Sequence, residues 1–308
     1  MEPPRLDSSN ECTAPQAGRG GEDSRASLGH ADAGCCRPSG IGRRLAVFGG
    51  RHDPNLALMF DRVSIRVLDL QASERFYRGI LGELGIGPTH TGGDSVQWGD
   101  FSIVAADAEH PLTRHLHVAF VAATRDRVDR FWHAGVDAGA MSDGEPGERP
   151  QYTPSYYGAF LLDPDGNSAE AVIHSDVRRG GHIDHLWIRV EDLQAASAFY
   201  TTIARHTGLR EGRRWDVGRQ FRGAWATFSL VADGAPRTEN LHVAFPAPDR
   251  GTVEDFYEEA TKAGYDGGGA PQRRADEGCY SAHVLDPNGT IIESVFRIEL
   301  SSRTSPDP

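Results

Sequence analysis

The sequence predicts an α+β chain of four βαβββ units arranged as two tandem copies. Three observations predict it. Strand-like runs with alternating apolar residues lead into amphipathic helices, the whole pattern returns once at a nearly fixed offset, and a strand–helix–strands order occurs twice within each copy. The stretch from Ser64 to Tyr77 returns from Trp187 to Tyr200, Leu116–Phe120 returns as Leu241–Phe245, and Leu162–Gly166 returns as Leu285–Gly289. The offsets are 123, 125 and 123 residues, an ordinary size for one domain.

Each element has its own justification. Val63, Ile65 and Val67 alternate as on a half-buried strand, and Leu70, Phe76, Tyr77 and Leu81 fall on one helical face. Asp69 and Asp192 stand at the helix starts, where a carboxylate caps free N–H groups. Weaker strands follow at Phe101–Val104 and Trp225–Val231. The second unit of the first copy reads as a strand at Leu116–Phe120, a helix around Arg125–Ala138, and strands at Gly158–Leu162 and Ser168–Ile173. Its counterpart reads as Leu241–Phe245, Thr252–Ala263, Ser281–Leu285 and Thr290–Phe296. Asp-Pro-Asp-Gly and Asp-Pro-Asn-Gly are turns joining the last two strands of these units, and Phe76–Tyr77 and Phe199–Tyr200 are core residues. The domains are expected at 59–176 and 181–299, with a joint near Arg178–Gly181 and a tail over 300–308. Residues 1–58, rich in Gly, Pro, Ser, Arg and Asp, read as disordered, or as lying ahead of a true start at Met59.

A formal net charge of −12 argues against a nucleic-acid partner, which needs a basic face. No apolar run reaches the roughly 18–20 residues of a membrane span, and the polar N-terminus has no signal-peptide pattern. Cys12, Cys35, Cys36 and Cys279 form neither a disulfide framework nor a CxxC zinc pair, which suits a reducing cytoplasmic setting.

The Asp-Leu-Gln-Ala…Phe-Tyr, His-Val-Ala-Phe and Asp-Pro-x-Gly…Glu motifs, in this order and twice over, resemble the vicinal oxygen chelate superfamily, also called the glyoxalase/bleomycin-resistance/extradiol-dioxygenase group. The resemblance covers residues 60 to about 298. It implies that two βαβββ units form an open β-barrel cup, so that the chain is two tandem cups, with metal ligands projecting from four strand positions. In the second copy these positions are His185, His242, Glu293 and, near the fourth, Ser229. Two imidazoles and a carboxylate suit Fe(II) and oxygen chemistry, with Mn(II) and Zn(II) as the other ions the set would take. In the first copy the positions are Arg62, Ser102, His117 and Glu170, and a permanent cation at Arg62 predicts a metal-free cup closed by an Arg62–Glu170 pair, with His117 structural. His242→Ala is then expected to abolish metal binding and His117→Ala to leave it.

The resemblance implies an extradiol-type dioxygenase acting on a catechol-like small molecule. Its acid–base position falls at His283, which also suits a fourth ligand, and Tyr280 lies close by, directed by strand parity to the other face. No histidine lies between His206 and His242, where the family's further histidine falls. A glyoxalase-type isomerase or lyase, and a non-catalytic cup for an aromatic or antibiotic-like ligand, are the other two classes. For the last, Arg149–Tyr152 and Tyr156–Tyr157 are candidate lining. Two cups in one chain need no partner to be complete, and a homodimer stays open.

Overall fold

The structure, a computed structural model, describes residues 58–175, 180–274 and 277–298. The expected head, the first part of the joint and the tail lie outside the described residues. Unit one is β1 (Arg62–Val67), α1 (Leu70–Leu84), β2 (His90–Thr91), β3 (Ser95–Trp98) and β4 (Phe101–Ala105). Unit two is β5 (His117–Val121), α2 (Arg125–Asp137), β6 (Met141–Glu148), β7 (Tyr157–Leu162) and β8 (Ser168–Ile173). Unit three is β9 (Ile183–Arg189), α3 (Leu193–Thr207), β10 (Arg210–Trp215), β11 (Gly218–Arg222) and β12 (Thr227–Val231). Unit four is β13 (His242–Pro246), α4 (Arg250–Lys262), β14 (Gly269–Arg274), β15 (Cys279–Leu285) and β16 (Ile291–Arg297).

Local chemistry sets the element ends. The Asp69 side chain accepts from Ala72 N, and Asp192 accepts from Gln194 N and Ala195 N, at the starts of α1 and α3. Both helices stop at a glycine in the left-handed region, Gly85 (φ 80°) and Gly208 (φ 68°). The repeated tyrosines and Asp-Pro turns serve one another. Tyr77 donates from unit one to Asp163 in the turn of unit two (2.9 Å), and Tyr200 donates from unit three to Asp286 in that of unit four (3.0 Å). These bonds are buried, so they tie consecutive units at points where an unpaired group would be costly.

The strands form two eight-stranded mixed sheets that do not close into barrels. One runs β14-β15-β16-β13-β1-β4-β3-β2 and the other β10-β11-β12-β9-β5-β8-β7-β6. This corrects the expected pairing of units. The cups are not built from consecutive units: β1 of unit one pairs with β13 of unit four, and β5 of unit two pairs with β9 of unit three, both antiparallel. Consecutive units instead meet through their helices, α1 on α2 and α3 on α4, and through the tyrosine–turn bonds. Alternation then sorts the side chains. Val63, Ile65, Val118, Phe120, Leu186 and Val243 enter one shared apolar core, while their neighbours Arg62, Ser64, His117, His185 and His242 lie on the opposite, concave faces of the sheets. Among the described residues no helix is long and apolar enough to cross a membrane.

Candidate metal centre

On the concave face of the sheet shared by units two and three, the central position is an alanine. Ala119 on β5 is in register with Glu170 on β8 and with His185 on β9. The small side chain leaves space above it, and His117, two residues earlier on the same face, leans into that space. Three ligand-type atoms result: His117 Nε2 lies 3.0 Å from Glu170 Oε2 and 3.4 Å from His185 Nε2, and His185 Nε2 lies 3.4 Å from Glu170 Oε2. Donors bonded to one ion at about 2.1 Å stand roughly 3.0–3.4 Å apart when the angle between bonds is between square and tetrahedral. The spacing of the three atoms is therefore that of one face of a coordination sphere.

The hydrogen bonds behind these atoms make the same point. His185 Nδ1 faces Asp184 Oδ1 at 3.0 Å, so it carries a proton and donates. His117 Nδ1 faces Ser168 Oγ at 3.1 Å, and that hydroxyl donates in turn to Asp143 Oδ2 at 2.8 Å, so His117 Nδ1 donates as well. With both Nδ1 atoms donating, the neutral rings turn acceptor nitrogens toward a carboxylate oxygen. Three acceptors converge with no donor of their own, and only a cation or a proton between them resolves the arrangement. Without a metal the proton is held by His185. Burial pushes its pKa down, but the bonds to Asp184 and Glu170 outweigh this and raise it to about 9. Burial pushes Glu170 up, and the two histidines overcome it and hold the carboxyl below its usual range.

Glu170 is fixed from its other side. The Tyr156 hydroxyl donates to Oε1 at 2.6 Å, and burial first, then the Glu170 charge, push that phenol far up, so it stays a donor. Gly158 is needed here, since a Cβ would lie 2.5 Å from Glu170 Oε1. Asp184, buried behind His185, is also bonded by His174 Nε2 at 2.9 Å. Aromatic side chains stand around the centre: Phe160 and Trp187 have ring centroids 5.9 and 6.3 Å from that of His117, and the Arg149 guanidinium lies 5.7 Å over the Phe160 ring.

The residues expected as one ligand set, His185, His242 and Glu293, are divided between the two sheets. His185 joins His117 and Glu170. His242 and Glu293 lie on the other concave face, 2.9 Å apart, with Arg62 Nη2 3.8 Å from the same carboxylate oxygen. The expected Arg62–Glu170 pair is absent for the same reason, because β1 borders β13 and not β5. His283 is in register with Glu293, on the Arg62 side. Tyr280 turns to the opposite face, donates to Glu254 at 3.0 Å and lies under the Arg250 guanidinium. Ser229 is in register with Trp187, while Thr227 is the β12 residue opposite His185. Ser102 exchanges a 2.7 Å hydrogen bond with Ser64. The supporting residues Asp143, Ser168, His174 and Asp184 drew no attention in the sequence. The one signal there was the acidic residue directly preceding His185.

The model of the glyoxalase/bleomycin resistance protein/dioxygenase superfamily matches residues 59–171 and again residues 182–294. The chain belongs to that superfamily. Glyoxalase I from Zea mays has a similar fold, at 18% identity and a TM-score of 0.58 over 77% of this chain and 92% of the other. A candidate dioxygenase from Bacillus subtilis subsp. subtilis str. 168 is also similar, at 13% identity and a TM-score of 0.54 over 78% and 85%. No curated protein matches the sequence. In this superfamily member the donor set fits a divalent metal ion, and each copy of the repeat supplies part of it: His117 and Glu170 come from the first match, His185 from the second.

Proposed function

We propose that the chain is a metal-dependent dioxygenase of the extradiol type, acting on a catechol-like aromatic molecule at the His117–Glu170–His185 centre. The observation that carries this reading is the triangle of two imidazole nitrogens and one carboxylate oxygen at 3.0–3.4 Å. Such a set leaves one side of the ion open and suits Fe(II). The bound ion would supply Lewis acidity toward two vicinal oxygens and, as iron, electron transfer toward dioxygen. The protein's own part is positional. Asp184 and Ser168 orient the two rings, Tyr156 keeps Glu170 turned toward the histidines, and Phe160 and Trp187 provide flat apolar walls for an aromatic ring.

The test is metal content and oxygen uptake of anaerobically purified chain, reconstituted with Fe(II), across a panel of catechols. One iron per chain and catechol-dependent oxygen uptake, both lost in His185→Ala, support the reading. Metal uptake with no oxygen consumption would leave a glyoxalase-type isomerase in its place. A chain that takes up neither iron, manganese nor zinc would sink both.

A further inference from the structure

The face that carries the metal centre also carries an arginine. Glu170 on β8 is in register with Phe160 on β7, and a Cβ at Gly158, two residues before Phe160, would meet the Glu170 carboxylate, so both β7 positions lie on the concave face. β6 continues that face. Gly147 pairs with Gly158, and Arg149 follows two residues later, where its backbone N–H donates to Tyr156 O at 2.9 Å. By alternation the Arg149 side chain leaves the chain on the metal side, whereas Glu148 turns the other way and pairs with Arg125 of α2 at 2.9 Å.

The Arg149 guanidinium is held in place but its charge is not matched. It lies back over Gly147, where a Cβ would come within 2.6 Å of Nη1, and stands 5.7 Å over the Phe160 ring. Nη1 donates to Glu148 O at 3.2 Å and Nη2 to Glu145 O at 2.8 Å. Both acceptors are neutral carbonyls, and Arg149 makes no ion pair among the described residues. Donors remain on the guanidinium beyond the two in use. The Tyr152 phenol senses both ends of this face: burial first, then the Glu170 charge, push its pKa up, and the Arg149 charge pulls it down.

We propose that Arg149 determines specificity by binding a carboxylate carried on the aromatic substrate, on the side of the ring away from the vicinal oxygens. Resting on the function proposed above, this narrows the substrate class to a catechol carboxylate. Arg149 extends β6, two strands from Glu170 on β8, and two interstrand spacings are about 10 Å. A carboxylate beside the chelating oxygens stays next to the ion, whereas one across the ring is carried toward Arg149. Phe160 touches both ends of that path, with its ring centroid 5.9 Å from that of His117 and 5.7 Å from the Arg149 guanidinium. The planar guanidinium matches the planar carboxylate.

Calorimetric titration of the full chain loaded with Zn(II) tests this without calling on oxygen chemistry, with 3,4-dihydroxybenzoate and its uncharged analogue 3,4-dihydroxybenzamide as probes. The benzoate is expected to bind about tenfold or more tighter than the benzamide. Arg149→Gln removes that difference, and Arg149→Lys, which keeps the charge, retains part of it. Equal affinity of the wild type for the two probes overturns the inference and leaves the metal-centre reading standing. So does a preference that survives Arg149→Gln. A preference for the benzoate, with no oxygen uptake by the Fe(II)-loaded chain, upholds the carboxylate site and removes the dioxygenase. A metal-loaded chain that binds neither probe overturns both.

Discussion

The two concave faces are built on one plan and differ at the position beside the central alanine. In one, His185 completes a triangle of acceptors with His117 and Glu170. In the other, Arg62 carries its own positive charge to the same place and neutralises Glu293, which also accepts from His242. A guanidinium does for a buried carboxylate what a metal ion does, without open positions for a substrate oxygen. A cup can therefore keep its fold and its buried acid while a fixed guanidinium charge takes the place of an imidazole beside that acid.

The largest difference between the faces is expected when one histidine is removed from each. His117→Ala is expected to abolish metal binding and His242→Ala to retain it, as read by elemental analysis. That is the reverse of what the linear order of the motifs suggested. Equal loss in both variants would put the ion elsewhere. A gain of function comes next. Arg62→His sets an imidazole in the register of His185 beside His242 and Glu293, and a second equivalent of Zn(II) or Fe(II) per chain is expected.

Acid acts on the Arg62 face through Glu293. Burial pushes Glu293 up, but the His242 hydrogen bond and charge, with Arg62, prevail and hold it at about 2, from an ordinary 4.5. A carboxyl depressed in the folded state stabilises the fold fully above its unfolded value and progressively less as pH falls toward 2. The contribution at neutral pH is of the order of 3 kcal/mol. Denaturant titrations of Glu293→Gln are expected to show a flatter loss of stability between about pH 4.5 and 2 than the wild type. An unchanged acid limb would mean that the carboxylate is not held by His242 and Arg62. The smallest effect is expected from Tyr156→Phe, which removes the donor to Glu170 Oε1 and should weaken metal affinity by about 10–100-fold without abolishing it. Competition with a chelator measures this, and an affinity equal to wild type would remove Tyr156 from the centre.

Much of the fold was legible in the sequence because it is local. Alternation at Val63–Val67, the caps at Asp69 and Asp192, and the Asp-Pro turns each announce an element within a few residues. The concave positions were also legible: Arg62, His117, Glu170, His185, His242 and Glu293 all lie on the concave faces. Which of them share a sheet was not. Period-two patterning says which face a residue occupies and nothing of which strand lies alongside. The openings of β1 and β9 are alike, as are those of β5 and β13, so pairing consecutive units and pairing crossed units satisfy the same pattern. Asp184, Ser168 and Asp143 were hidden for a related reason, since a polar residue near a histidine has meaning only once its strand has a neighbour.

The crossed pairing has a consequence for inheritance. Neither repeat owns a cup, so a chain cut between the repeats would part His117 and Glu170 from His185, and Arg62 from His242 and Glu293. Each half would be left with the wrong strand edges bare, and the two would have to find one another again, or the matching halves of a second chain, before either cup existed. Each repeat thus supplies side chains to both cups. The two faces nonetheless differ in chemistry through single positions, His185 in the second repeat beside Ala119 and Arg62 in the first beside Ala244.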